Sequence, residues 1–330
     1  MLFNQVRFRS VPLLVGTALA TASMLAEARD QIRVVGSSTV YPFATVIAEE
    51  MGRNGFKAPV IESTGTGGGM KLFCAGVGVQ HPDITNASRA MKDSEWKDCQ
   101  ANGVKDIIEI IVGNDGIAFA NSVDGPHVNF TRAQIWAAMA EKGPKPEKWS
   151  DIDASLPDVK IEILTPPPTS GTRDAWNSLV MGKGCDAAVK KANKKDCALM
   201  REDGAVIEAG ENDTLMVQKL GANPNAFAIF GFSYLDSNLD RIQASLIEDT
   251  EISLDNIQSY DYPVSRPLFF YVKKAHVDVV PGIKEYMEEF TSEDAVGEEG
   301  YLSDIGLVPL DVEKSAQIAA AVANLKSMRK

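Results

Sequence analysis

Short apolar runs rich in β-branched residues alternate with longer segments in which apolar residues recur every three or four positions. The runs are typical of strands, and the longer spacing is typical of helices that bury one face. The predicted strands are residues 32–35, 60–62, 107–112, 116–120, 160–164, 226–230 and 268–272. The predicted helices are residues 43–51, 132–140, 172–181, 214–220 and 281–290, with N-caps expected at Thr131 and at Asn212-Asp213. This alternation predicts an α/β protein with mostly parallel sheets.

The first 28 residues follow a different pattern. Arg7 and Arg9 precede an apolar run at 11–25, and Ala26-Glu27-Ala28 fits the small-x-small cleavage site of a secretory signal. A membrane anchor is the alternative, but the run is shorter than the roughly 20 residues that a spanning helix needs. We therefore expect residues 1–28 to be a signal peptide and the mature, periplasmic protein to begin near Arg29.

Charge and length narrow the class of protein. The formal net charge is −12, and residues 1–28 hold two arginines and one glutamate, so the rest of the chain is more acidic still. An acidic surface argues against binding to nucleic acids or to anionic membranes. About 300 remaining residues exceed what one hydrophobic core usually organises, so we expect two lobes.

Four cysteines lie beyond the expected signal peptide: Cys74, Cys99, Cys185 and Cys197. An even number in an exported protein favours disulfides, and the short separations favour pairing Cys74 with Cys99 and Cys185 with Cys197. A four-ligand metal site is the alternative, but no C-x-x-C spacing supports it. We expect no metal and no cofactor.

Three strand-to-helix turns share one composition. They are VVGSSTVYPF at 34–43, ESTGTGGGMK at 62–71 and PPPTSGTRDAW at 166–176. Each supplies hydroxyl groups and the free backbone N–H groups of a helix start, which together suit an oxyanion. Ordinary N-capping would explain any one of them. Because the carboxyl ends of strands in an open α/β sheet face the ligand crevice, three such turns predict one shared anion site.

The proline run fits this interpretation. Three consecutive prolines hold the approach to the third turn rigid, so less conformational entropy is lost when a ligand binds. A polyproline segment that docks on a partner is the alternative, but a strand-to-helix connection is a poor place for one. The second turn is not a nucleotide-binding phosphate loop, since Met70 replaces the second glycine of that motif and Leu72 its hydroxyl residue.

A fourth segment, DITNASRAM at 83–91, places Arg89 beside Ser88 after an apolar run. Arginine can donate two parallel hydrogen bonds to a tetrahedral oxyanion. Arg173 offers the same group from the third turn. We expect these two arginines to make the pocket positive within an acidic protein, although Arg89 could equally be an ordinary surface charge.

These motifs, in this order, resemble a known family. GSSTVYP, GTGGGMK, NASR and PTSGTRDAW, followed by NPNAFAIFGFSYL and YPVSRPLFFYVKK, are similar to segments of the periplasmic phosphate-binding protein of the phosphate ABC transporter. The resemblance covers residues 32–309. It implies a two-lobed solute-binding fold of type II, with a mostly parallel sheet in each lobe and a hinge. It also implies a monomer that binds phosphate and delivers it to the permease subunits in the inner membrane.

The resemblance also implies the residues of the site. The first loop of the family corresponds to Ser38 and Thr39, and the second to Thr66 and Gly67. Its Ser-Gly-Thr helix start corresponds to Ser170, Gly171 and Thr172, and its Ala-Ser position to Ser88. With the two arginines, the expected phosphate-binding residues are Ser38, Thr39, Thr66, Gly67, Ser88, Arg89, Ser170, Gly171, Thr172 and Arg173.

Two departures from the family pattern matter. The best-known members place an aspartate after Ala-Ser to accept the proton of hydrogen phosphate, whereas this chain has Arg89. They also place an arginine a few residues before Ser-Gly-Thr, where this chain has Pro166, and we expect Arg173 to replace it. The proton acceptor stays open between Asp115, Asp174, Asp203 and a backbone carbonyl. Phosphate over sulfate, molybdate or a phosphonate therefore rests on the resemblance.

The family's topology implies two crossings between the lobes, near 119–124 and near 260–266. We therefore expect a first lobe formed by residues 29–120 and 266–330 and a second formed by residues 121–265. Such a hinge would let the lobes close over a ligand.

Other classes of protein have less support. A secreted phosphatase would need a nucleophile or a metal, but the chain has no G-x-S-x-G elbow and no H-E-x-x-H motif. His81, His127 and His276 lie outside the turns that would form the site. A structural or adhesive protein is a further alternative that anion binding would exclude. The sequence therefore predicts a binding protein rather than an enzyme.

Overall fold

The computed structural model describes residue 1 and residues 29–168, 170–210 and 213–329. The strands are β1 (Arg33–Gly36), β2 (Val60–Ser63), β3 (Ile84–Ala87), β4 (Ile107–Ser122), β5 (Asn129–Phe130), β6 (Ile163–Thr165), β7 (Val206–Glu208), β8 (Phe227–Gly231), β9 (Ile242–Ala244), β10 (Leu246–Ile247) and β11 (Ser265–Lys273). The expected signal peptide and the expected cap at Asn212 lie outside the described residues.

The α-helices are α1 (Tyr41–Arg53), α2 (Thr66–Phe73), α3 (Asp93–Ala101), α4 (Arg132–Met139), α5 (Gly171–Trp176), α6 (Gly182–Gly184), α7 (Ala187–Ala192), α8 (Asp213–Ala222), α9 (Phe232–Asp236), α10 (Leu254–Gln258), α11 (Ile283–Glu289), α12 (Glu293–Val296) and α13 (Val312–Ala323). Short 3₁₀ turns lie at Trp149–Asp151, Lys194–Ala198, Lys274–His276 and Ser303–Ile305, and a π-helical turn at Asn177–Met181 continues α5.

Most predicted elements are confirmed, with shifted ends. The N-cap at Thr131 is confirmed, because its hydroxyl accepts a hydrogen bond from the Gln134 N–H at 3.1 Å. The prediction of separate strands at 107–112 and 116–120 is wrong, since both belong to the single strand β4. Two long helices were missed, α3 and α13. Each buries one residue, Cys99 or Val322. Because α3 is mostly polar and α13 is rich in alanine, the spacing of large apolar residues did not single out either helix.

The strand β4 joins two sheets. Its first part, Ile107 to Gly116, pairs with β11 in a sheet of order β2-β1-β3-β11-β4. From Ile117 onward it pairs instead with β8, in a sheet that continues through β6 to β7, while β9 also pairs with its last residues. The first sheet with its helices forms the first lobe, and the second sheet with its helices forms the second.

Each of the two sheets contains three parallel strands and is completed by antiparallel ones. The strands β1, β2 and β3 are mutually parallel, as are β6, β7 and β8, whereas β4 and β11 pair antiparallel with their neighbours. The predicted α/β fold with two lobes and mostly parallel strands is confirmed. The three turns selected from the sequence leave β1, β2 and β6.

Each lobe has its own apolar core. In the second lobe the rings of Phe119, Phe130, Trp149 and Phe227 pack together, with centroids 4.6–6.1 Å apart. Trp176, at the end of α5, joins this cluster at 5.4 Å from Phe119. Aromatic pairs of this kind add stability beyond the area they bury. The core therefore holds the far end of α5 and positions its start.

Both predicted disulfides are confirmed, Cys74–Cys99 and Cys185–Cys197. Cys74 follows the last residue of α2, and Cys99 lies in α3. Cys185 follows the last residue of α6, and Cys197 lies in the 3₁₀ turn Lys194–Ala198. Among the helices that the structure describes, none is long and apolar enough to span a bilayer.

Candidate functional site

The first loop begins where β1 ends at Gly36. Its φ of 128° lies outside the range of ordinary residues, and a β-carbon there would lie 2.2 Å from the carbonyl oxygen of Asn86. The next residue, Ser37, donates its N–H to that same oxygen at 3.0 Å. Glycine therefore lets the loop turn tightly against the end of β3. The turn places Ser38 and Thr39 ahead of α1.

The second loop enters α2 beside the first. A β-carbon on Gly69 would lie 2.5 Å from the Gly36 Cα and 2.6 Å from the Thr85 hydroxyl, so the glycines let the helix approach the strand ends closely. At the helix start, the Thr66 Oγ1 lies 3.1 Å from the Ser88 Oγ and accepts the Ser88 N–H at 3.1 Å. Two residues expected in the site, from different loops, are thus in contact.

The third loop brings the second lobe against the first. The Thr39 hydroxyl donates to the Gly171 carbonyl at 3.3 Å. A β-carbon on Gly171 would lie 2.6 Å from the Thr39 Cα and 3.1 Å from the Ser38 carbonyl oxygen. Ser170 and Thr172 flank this contact, and Ser170 is buried. We call the space between these loops, at the carboxyl ends of β1, β2 and β6, the crevice.

Arg89 lies apart from these contacts. Its guanidinium forms two hydrogen bonds to the Glu95 carboxylate, at 2.7 and 2.9 Å, and a third to the Ala90 carbonyl. About a third of the Arg89 side chain is exposed. Both terminal nitrogens of Arg89 therefore donate to Glu95 of α3, and Nη1 also donates to the Ala90 carbonyl before that helix.

Arg173 is buried beneath the proline run. Its Nη1 donates to the Thr165 hydroxyl and to the Pro166 carbonyl, both at 2.9 Å. Burial lowers the pKa of this guanidinium, against the opposing attraction of Glu208. Among the described residues, its Nε has no hydrogen-bond partner. Arg173 thus braces the start of the stiff segment that leads to α5.

Sequence reasoning missed a third arginine, Arg266. It lies near the start of β11, is 7% exposed, and donates from Nη2 to the Thr39 hydroxyl at 2.8 Å. Its Nε donates to Asp115 at 3.3 Å, and Nη2 lies 3.9 Å from the Asp174 carboxylate. A charged residue inside the otherwise apolar segment YPVSRPLFFYV was the available signal, because a charge is rarely buried without a partner.

The three aspartates considered as proton acceptors differ in their distance from the crevice and in their partners. Asp115 faces Arg266 from β4, and burial raises the pKa of its carboxyl, while Arg266 opposes that shift. Asp174 lies on α5 and is about half exposed. Asp203 forms an ion pair with Arg201 at 2.7 Å instead. Asp115 and Asp174 are therefore the carboxylates beside the crevice.

The comparisons with known proteins agree with this architecture. A family model described as a PBP superfamily domain matches residues 21–294. The protein SphX of Synechococcus elongatus is 30% identical over 257 residues, 73% of this chain and 69% of its own. The phosphate-binding protein PstS of Staphylococcus saprophyticus is 27% identical over 271 residues, 80% of this chain and 76% of its own.

A solved structure shows the same fold. The crystal structure of a possible phosphate binding protein from Planctomyces limnophilus superposes with a TM-score of 0.75 at 27% identity, over 90% of this chain and 99% of that one. PstS from Borrelia burgdorferi superposes with a TM-score of 0.61 at 17% identity, which shows the fold alone. The resemblance inferred from the motifs is thereby confirmed, and the chain belongs to the PBP superfamily, with phosphate-binding proteins among its relatives.

Proposed function

We propose that this protein captures inorganic phosphate between its two lobes and delivers it to the permease of an ABC transporter. The observation that carries the proposal is the contact between Thr39 of the first lobe and Gly171 of the second, at the carboxyl ends of the parallel strands. Hydroxyls and helix starts from both lobes converge there, beside the buried cation Arg266. Relatives named for phosphate binding support phosphate as the anion.

The expected ligand residues fit a shared role. A phosphate closed away from water needs most of its acceptor positions satisfied, and each neutral hydrogen bond contributes ~0.5–1.5 kcal/mol. The proposed neutral donors are the hydroxyls or backbone N–H groups of Ser38, Thr39, Thr66, Gly67, Ser88, Ser170, Gly171 and Thr172. To bind the anion directly, Arg89 would have to leave Glu95, and Arg173 would have to use the nitrogens that do not brace Pro166.

The proposal extends to the compartment in which the protein acts and to the boundaries of its lobes. We infer that the protein acts in the periplasm and binds its ligand without chemical turnover. The boundaries expected from the sequence lie near 119–124 and 260–266, so that residues 29–120 and 266–330 form one lobe and residues 121–265 the other. The start of β11 at Ser265 supports the second boundary. We place the first crossing at Gly116 and Ile117, a few residues earlier, because β4 changes its strand partners there and Phe119 packs in the core of the second lobe.

Calorimetric titration of the purified protein with phosphate, arsenate, sulfate and molybdate tests the function. We expect phosphate to bind, and Thr39→Val to weaken it at least about tenfold, because several contacts meet at this hydroxyl. Thr45→Val is the matched control, since the Thr45 hydroxyl donates to the Tyr41 carbonyl within α1, outside the loops that form the crevice. Failure of the parent protein to bind phosphate would refute the proposal, and preferred binding of another anion would reassign the ligand.

A further inference from the structure

We propose that Tyr260, Gln258 and Asn114 form a latch, beside the point where β4 passes between the lobes, that holds the lobes in their closed arrangement and thereby raises the affinity of the crevice for its anion. These are positioning residues, because they act on the lobes rather than on the ligand. The inference rests on the proposed function, and it concerns residues outside the three turns that form the crevice.

Asn114 is a buried residue of β4, three positions before that strand begins to pair with β8. Its backbone pairs with Pro267 of β11 on one edge and with Val308 on the other, where the two residues exchange N–H···O bonds of 2.7 and 3.1 Å. The Asn114 Nδ2 donates to the Pro309 carbonyl at 3.2 Å. Since a carbonyl can only accept, this bond fixes the amide and leaves Oδ1 as an acceptor. Asn114 thus offers a fixed acceptor on the first-lobe side of the crossing.

The second lobe supplies the donors. The Tyr260 hydroxyl donates to the Asn114 Oδ1 at 2.7 Å, and the Gln258 Nε2 donates to the Pro309 carbonyl at 3.1 Å. Ile257, next to Gln258, is buried in the core of the second lobe. The two donor side chains are therefore carried by one lobe and bonded to the other.

A small rotation of the lobes would break these bonds. Hydrogen bonds of this length are lost when donor and acceptor separate by about 1 Å more. Ile257 also lies against the connecting strand, since a β-carbon on Gly116 would lie 2.4 Å from its Cδ1. The latch is formed in the arrangement in which Thr39 contacts Gly171, and it would be lost once the lobes rotate apart.

The backbone of Tyr260 gives independent evidence. Its φ is 64°, in the left-handed region that glycine adopts freely and a residue with a β-carbon adopts under strain. Such strain persists where surrounding contacts hold it, and it clusters at clamps and switches. Burial raises the pKa of the phenol, and the charge of Asp311 adds to the shift, so the hydroxyl remains a donor at neutral pH. The strained residue is thus the one that supplies a latch bond.

The latch predicts an effect on how long the ligand stays bound. Bonds that form only on closure favour the closed form, and the apparent affinity rises with the fraction of molecules in the binding-competent form. Because the bonds must break before the lobes reopen, their loss should speed dissociation more than it slows association. Loss of one neutral hydrogen bond corresponds to a factor of roughly 2 to 12 in affinity.

The experiment compares the parent protein with Tyr260→Phe and Tyr260→Gly. Calorimetry gives the phosphate affinity. Release of radiolabelled phosphate into excess unlabelled phosphate, followed by rapid filtration, gives the dissociation rate. Tyr260→Phe removes the hydroxyl alone, and we expect the affinity to fall about three- to tenfold while the dissociation rate rises by a similar factor.

Tyr260→Gly removes the hydroxyl and the backbone strain together. We expect it to lose at least as much affinity as Tyr260→Phe does. A tyrosine that only shapes the turn would instead be replaced by glycine without loss, because glycine adopts this φ freely. This variant therefore separates a latch from a merely local role.

Tyr301→Phe is the matched control, because the Tyr301 hydroxyl donates to Glu289 at 2.8 Å within the first lobe. It should bind and release phosphate as the parent does. If Tyr260→Phe and Tyr260→Gly also match the parent in affinity and dissociation rate, the inference is overturned while the proposed function stands.

Failure of the parent protein to bind phosphate would instead refute the proposed function, and the inference with it, so the two failures are distinct. Circular dichroism and thermal melting establish that each variant is folded. Should Tyr260→Phe not fold, the affinity and dissociation rate of Tyr260→Gly decide, since loss of a merely local contact would not speed the release of phosphate.

Discussion

At the scale of single residues, Lys273 is a buried lysine whose environment disfavours the positive charge. It is 1% exposed, its Nζ donates to the Pro82 carbonyl at 2.7 Å, and the ammonium lies 5.0 Å from the centroid of the Phe73 ring. Burial lowers its pKa to about 7, although the nearby carboxylate of Asp83 opposes the shift. The folded protein therefore holds this proton less tightly than the unfolded chain does.

This difference predicts how stability depends on pH. Between pH 7 and the ordinary lysine pKa of 10.5, the unfolded chain binds a proton that the folded protein lacks. The free energy of unfolding should therefore rise with pH through this window. Lys273→Met keeps the length of the side chain and removes the titration. Urea unfolding at pH 7, 8 and 9 should show a steeper rise for the parent than for Lys273→Met, and equal slopes would contradict the lowered pKa.

At the scale of elements, the start of α5 is set from two directions. Trp176 anchors its end in the aromatic core of the second lobe, and Arg173 braces the approach through Pro166. The helix start is thereby pressed against Thr39, where Gly171 leaves no space for a side chain. Closure of the crevice depends on this close approach.

A methyl group at Gly171 should therefore hinder closure. Overpacking typically costs ~1–3 kcal/mol, so Gly171→Ala should weaken phosphate binding about 5- to 150-fold while each lobe stays folded. Gly221→Ala in α8 is the control, because among the described residues no atom beyond the neighbouring backbone of α8 lies within 4 Å of the position that its β-carbon would take. Calorimetric titration of both variants makes the comparison. Equal affinities would show that the lobes do not approach at Gly171 when ligand binds.

The disulfides act at the same scale. Each closed loop should contribute about 2–4 kcal/mol to the free energy of unfolding. The Cys74–Cys99 loop spans 25 residues and the Cys185–Cys197 loop spans 12, so the chain-entropy difference favours the first by about 0.6 kcal/mol. Urea unfolding of the two double Cys→Ala variants measures both losses. A much larger loss for the shorter loop would mean that packing, rather than loop closure, dominates.

At the scale of the whole molecule, two strands connect the lobes, and contacts such as the hydrogen bond between Thr39 and Gly171 hold them together. The strands β4 and β11 pair along nine residues of β11, which makes the connection a ribbon that can bend but not slide. The lobes meet at Thr39 and Gly171, beside Arg266. A ligand that binds between the lobes stabilises the closed arrangement by its differential affinity for the two forms.

We therefore expect phosphate to make the molecule more compact. X-ray scattering of the purified protein should give a smaller radius of gyration with saturating phosphate than without it, because hinge closure brings the two lobes together. Gly171→Ala should show a smaller change under the same conditions. An unchanged radius in the parent protein, with phosphate binding demonstrated by calorimetry, would show that the ligand binds without closure.

Many secondary-structure elements, the disulfides and the three turns could be predicted from the sequence, because each depends on residues that lie close together along the chain. Six of the eleven strands in the described residues and most long helices follow from apolar spacing. The cap at Thr131 follows from a hydroxyl three residues before Gln134. The short separations of the cysteines favoured the correct disulfides. The three turns were recognisable because glycine, hydroxyl residues and proline act on the adjacent backbone.

The charged part of the crevice was decided by tertiary structure. Arg266 lies 151 residues from Asp115 and 227 from Thr39 along the chain, so no local pattern joins them. Arg89 and Arg173 suited the turns by position, but Glu95 and Pro166 determine where their guanidinium groups point. Backbone conformation depends mainly on residues that are adjacent in sequence. A buried charge needs a partner within hydrogen-bond distance, and only the assembled fold determines which residue that partner is.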